Sequence, residues 1–126
     1  MADNFYTYFK TNMEAMGLSA PKELFGTFEK SIGAAFAISK AVETYGTKVT
    51  IGELIGAGTI AEGLGTMVTV AAAYYLGAVL GSIAIATGQS LSGGATIADV
   101  LYLAEKHKIS RSWVPEFIAN GWVVIP

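Results

Sequence analysis

The sequence predicts an all-α protein: a small helical bundle around a glycine-rich apolar central helix or helical hairpin. Three observations predict it. Helical start and stop signals recur along the 126 residues and bracket stretches with apolar positions at three- and four-residue spacing. No two segments alternate in a way that suggests paired strands. A run of 36 positions between Glu62 and Asp99 carries no charge, and its centre, 67–87, reads MVTVAAAYYLGAVLGSIAIAT. Composition agrees with a buried surplus of apolar surface. Charged residues make up 14 % of the chain, where about 25 % is usual, which excludes a disordered polymer. A net charge of −2 offers no basic field for nucleic acid. The absence of Cys removes disulfides, thiolate metal centres and thiol catalysis. The length suits one domain, 1–126, without a linker.

Asp3 or Asn4 is expected to cap a first helix with Phe5, Phe9, Met13 and Met16 near one face and Gly17 as its stop. Ser19-Ala20-Pro21 begins a second helical stretch, 22–45, with a weak point at Gly26 and a stop at Gly46. Thr50 and Glu53 have the spacing of a capping box. A helical region is expected from there to about Thr87, bending or breaking near Gly63-Leu64-Gly65. Residues 88–95, GQSLSGGA, read as a loop. Thr96 to Asp99 resembles a second capping box, opening a helix to about His107. Ser110 or Ser112 would cap a short last helix through Pro115, ending near Gly121, and the tail 122–126 would be a strand or a packed end.

On a 100° wheel Gly52, Gly56, Thr59, Gly63, Thr66, Ala73, Gly77, Gly81, Ala84 and Gly88 fall within one sector of about 100°. Val70 interrupts that ridge. A shorter one runs through Gly26, Gly33, Ala37 and Ala41. Glycine within a helix costs about 0.5–1 kcal/mol relative to Ala, so a glycine face implies close helix approach. In lipid that is how helices associate, through packing without a hydrophobic drive. Tight packing inside one chain uses the same face. The region 51–88 is therefore expected to be membrane-competent, or else the core of its own bundle. Twenty-one helical residues reach about 31 Å, near the roughly 30 Å of a bilayer's hydrocarbon. A straight helix over 51–88 would reach about 57 Å, too long for one crossing without strong tilt. Glu62 lies beside the ridge. It is a candidate pore-mouth acid that would favour cations, or simply a solvated helix residue.

No catalytic constellation emerges, and no enzyme is expected. His107 is the only histidine and stands among Glu105, Lys106 and Lys108, which reads as a solvent-exposed helix end. Gly88-Gln89-Ser90-Leu91-Ser92 misses the nucleophile elbow at its last residue. Gly56-Ala57-Gly58-Thr59-Ile60-Ala61 matches a dinucleotide fingerprint, but no acid stands about 20 residues on. The acids are scattered singly, so neither a metal nor a cofactor is expected. Trp113 and Trp122 flank the apolar run, as interface residues or as parts of a helical cap, whereas Tyr74 and Tyr75 sit mid-run and need partners or a wet lumen. The opening MADNFYTYFK lacks a secretory apolar core, so synthesis in a cytoplasm without a signal peptide is expected.

The ridge Gly52, Gly56, Gly63, Gly77, Gly81 and Gly88, with the apolar run 67–87, resembles the glycine-zipper pore-forming antibacterial effectors of type VI secretion systems. About a third of the chain carries the resemblance. It implies insertion into a target inner membrane as a homo-oligomer, carriage by a secretion-tube protein, and a cognate immunity protein in the producer. Two alternatives stand beside it: a soluble helical interaction or structural module whose apolar helix is its core, and an ordinary small membrane protein of holin-like or regulatory type.

Overall fold

The computed structural model describes residues 2–87, 97–109 and 113–114, with the backbone alone at 2–4, 66 and 97–99. Among these residues the protein is helical and no strand forms. Helix α1 spans Ala2–Ala15, and its first turn already contains Asp3 and Asn4, so it starts ahead of the expected caps. Phe5, Phe9 and Met13 are buried and Met16 is half-buried, as the spacing predicts. Gly17 ends the helix in the left-handed region at φ +76°, where a residue without Cβ meets little penalty. The Leu18 amide closes the end by donating to the Met13 carbonyl at 3.0 Å.

The stretch expected at 22–45 divides at its weak point. Helix α2, Lys22–Phe25, is a single turn after Pro21. Thr27 then caps α3, Phe28–Tyr45, its hydroxyl accepting from the Lys30 amide at 3.1 Å. Gly46, at φ +102°, stops α3 while its amide donates to Val42 at 2.8 Å. Helix α4, Ile51–Gly56, opens on the expected capping box, with Thr50 and Glu53 each satisfying the other's amide.

From here the chain departs from a nearly continuous helix. Thr59 donates its amide and its hydroxyl back to the Leu54 carbonyl, at 3.0 and 2.9 Å, and Gly58 takes φ +74°. A 3₁₀ helix follows at Glu62–Met67. The break is therefore wider and earlier than a bend at Gly63–Gly65. Glycines at 56, 58, 63 and 65 weaken the α conformation, and Val68, Thr69 and Val70 are β-branched. The central helix α5 begins only at Ala72 and ends at Ala86. Helix α6, Ile97–Lys106, forms where expected. The Thr96 cap, the loop 88–95 and the last helix with its tail lie outside the described residues, apart from buried Trp113 and half-buried Val114.

Helix α5 is the axis of the bundle, with α1, α3 and α6 packed against it. Each sheathing helix turns one apolar face inward: Phe5, Phe9 and Met13 from α1, Ala35, Ile38 and Val42 from α3, Val100, Leu103 and Ala104 from α6. Residues 51–70 form an excursion whose two ends are tied together. Thr50 and Ala71 make an isolated antiparallel bridge. The Ile51 amide donates to Val70, Gly52 to Val68 and Ala72 to Val49, at 2.9–3.0 Å.

Candidate functional site

The candidate site is α5 with the helices that cover it. Without a charged residue and apolar on every face, α5 has no side that water would solvate well, so it must be enclosed. Eleven of its residues from Ala72 through Ser82, together with Ile83 and Ala84, would be expected inside, and all are buried except half-buried Tyr74. Its polar groups have partners in the other helices and turns. The Tyr75 hydroxyl donates to the Ser19 carbonyl at 2.8 Å, and Ser82 Oγ accepts from Asn12 Nδ2 at 2.7 Å. Burial, reinforced by Tyr6, drives the Tyr75 phenol far above its ordinary pKa, and burial also raises that of Tyr74.

A train of ring contacts crosses the bundle. Phe25 of α2 meets Tyr75 edge-on at 6.2 Å and stacks on Phe9 at 5.0 Å. Phe9 stacks on Phe5 at 5.7 Å, and Phe5 meets Phe28 edge-on at 6.2 Å. Phe28 ends the train against the His107 ring at 5.6 Å.

The expected small-residue ridge is distributed over three elements and is not one continuous face in this fold. Gly77 and Gly81 lie one turn apart on α5 and are buried. Gly52 stands at the start of α4, where an added Cβ would come within 2.9 Å of the Val68 carbonyl oxygen. Gly56 and Gly63 are exposed, with open space at Gly56 and ordinary contact to Leu24 at Gly63. Gly88 lies outside the described residues. Glu62 is exposed at the start of the 3₁₀ helix. In the shorter ridge, Gly33 and Ala37 are exposed and Ala41 alone is buried.

Two features were not singled out by the sequence. A cleft of about 250 Å³ separates α3 from the excursion, lined by Leu24, Ala34, Ile38, Ile60 and Leu64 among others. His107 is half-buried instead of exposed, and its Nε2 is buried with no hydrogen-bond partner among the described residues. Its burial, and then the charge of Lys106, lower its pKa. The signal for this was present: Val100, Leu103, Ala104 and His107 follow the i, i+3, i+4, i+7 spacing of a buried helix face. Among the described residues no three His, Cys, Asp or Glu side chains gather as a metal site, and no helix is long and apolar enough to cross a membrane. No family model, curated protein or solved structure matches the chain.

Proposed function

We propose that this protein is a guarded membrane-active toxin, in which α5 is stored inside the bundle and released to enter a lipid bilayer, where it oligomerises and conducts ions. One observation carries the reading: an uncharged helix, apolar all round, is sheathed by three helices whose described charged side chains are all exposed. At 15 residues α5 reaches only about 22 Å. Insertion therefore requires it to lengthen into uncharged sequence, and residues 68–71 would add about 6 Å. Gly77 and Gly81, one turn apart, are the pair through which released helices would pack. Secretion-tube carriage, an immunity protein and a target inner membrane rest on the resemblance of the glycine pattern.

A second reading is favoured by a specific observation. The hydroxyls of Tyr75 and Ser82 both have partners within this chain, as expected of a helix that serves only as the core of an interaction or structural module. Dye release from vesicles separates the two. Release by purified protein, with growth arrest when it is sent to the periplasm but not when it is kept in the cytoplasm, supports the toxin. No release, with a high and reversible melting transition, leaves the core reading.

A further inference from the structure

The contact between His107 and Phe28 sits where the sheath is closed. Helix α6 covers α5 and ends at Lys106, and His107 follows in the turn. The chain is then anchored again by buried Ile109 and fully buried Trp113. The His107 ring meets that of Phe28, the first residue of α3, at 5.6 Å in a T-shaped contact, while its buried Nε2 has no hydrogen-bond partner among the described residues. We infer that His107 is a protonation-sensitive latch: neutral, it packs as an aromatic ring that joins the end of α6 to the start of α3, and protonated, it loosens α6 from α5.

The chemistry follows from what surrounds the ring. A second proton would place an N–H and a positive charge at a buried atom with no acceptor, which is costly. The charged groups of the elements meeting there are Glu105, Lys106 and Lys108, next to His107 in sequence, Glu29 and Lys30 at the start of α3, and Lys10 and Glu14 on α1. Lys10 and Glu14 approach each other at 3.8 Å, Asp3 on α1 lies outside the described side chains, and Lys106 is the charge that acts on the imidazole. The C-terminal dipole of α6 favours a cation, yet burial and Lys106 outweigh it, and the pKa lies below the ordinary 6.5. A group with a lowered pKa in the closed form holds its proton better in the open one. Closure is therefore at full strength well above pH 6.5 and weakens as the pH falls through that value to the lowered pKa. Phe28 is also the end of the ring train to Tyr75, so the His107 contact borders the packing around α5. The latch is a property of the bundle; only its use in releasing α5 to a membrane rests on the toxin reading.

The test uses the full chain with Trp122→Phe, so that Trp113 alone reports. A single histidine also gives one imidazole resonance to follow. Between about pH 7.5 and 5, the imidazole should titrate below 6.5 while Trp113 emission shifts to the red. Amide exchange in α6 should speed up by at most about tenfold for each unit by which the pKa is lowered. His107→Phe keeps a ring and cannot titrate; His107→Gln keeps a polar group and cannot titrate either. Both should lose the acid response, and one suffices if the other folds poorly. A midpoint at or above 6.5, or an acid response unchanged in the variants, overturns the latch. Vesicle leakage measured in parallel separates the two ideas. A red shift without leakage supports the latch and removes the pore, whereas equal leakage at both pH values without a red shift removes the latch and keeps the pore.

Discussion

Asn12 and Ser82, seventy residues apart in sequence, meet across the α1–α5 contact with Nδ2 donating to Oγ at 2.7 Å. Ser82 is fully buried, whereas Asn12 is half-exposed. The two partners are therefore unequal. Asn12→Ala leaves a buried hydroxyl without that donor and should cost about 1–3 kcal/mol in urea unfolding. Ser82→Ala should cost less, because water can take over the amide of Asn12, and the double variant should lie close to Ser82→Ala alone.

The glycines of the expected ridge should separate into different classes on substitution. Gly52→Ala brings a Cβ to 2.9 Å from the Val68 carbonyl and 2.9 Å from the Val68 Cβ. A backbone oxygen that accepts from the Gly52 amide itself cannot retreat cheaply, so a loss of about 1–3 kcal/mol is expected. Gly56→Ala meets nothing within 4 Å and should be neutral or stabilising by up to about 1 kcal/mol. Thermal melts of the two variants read the difference. Equal effects would show that the closure between α4 and residues 68–71 does not hold as described.

Gly77→Leu places four carbons on a helix that is buried along this stretch. Overpacking of this kind typically costs about 1–3 kcal/mol, occasionally more, so the melting transition should fall clearly even without lipid. Gly77→Ala should cost less. For the toxin reading the informative comparison is leakage per folded molecule. Undiminished leakage by folded Gly77→Leu protein would rule out packing through Gly77 and Gly81.

Thr50→Ala removes the hydroxyl that accepts the Glu53 amide at 3.2 Å and should destabilise by about 0.5–2 kcal/mol. Because Thr50 also carries the bridge to Ala71, fraying should reach the returning chain, visible as faster exchange of the Ala72 amide, which donates to the Val49 carbonyl at 2.9 Å. Exchange confined to α4 would show that cap and bridge are independent.

Much of the fold was legible because its signals are local. Gly17 and Gly46 stop helices, Thr50 and Glu53 form a box, and Phe5, Phe9 and Met13 share a face within one or two turns. The division at Gly26 was legible as a weak point, and Thr27 supplies the cap that makes it a true break. The wheel misplaced the ridge because it assumes an unbroken helix, whereas Gly58 in the left-handed region ends the common periodicity before Gly63. Glu62 thereby leaves the neighbourhood the wheel gave it. Asn12 and Ser82 could not have been paired from sequence, since no spacing rule links residues so distant. The burial of His107 could have been seen: the periodicity that placed Leu103 inward extends to it, but its charged neighbours Lys106 and Lys108 suggested the opposite.

The bridge between Thr50 and Ala71 means that the chain leaves the bundle and returns to it at nearly the same point. What lies between still reaches into the core through Ile51, Leu54, Leu64 and Met67. Positions 57–61, at the far side of this excursion and largely exposed, are where the chain can be lengthened or carry an inserted tag, provided Thr59 keeps its bonds to Leu54 and Ile51, Leu54, Ile60, Leu64 and Met67 keep their places in or against the core. The molecule thus has a natural handle: a labelled or enlarged tip there would let the central helix be followed while its own surroundings stay untouched.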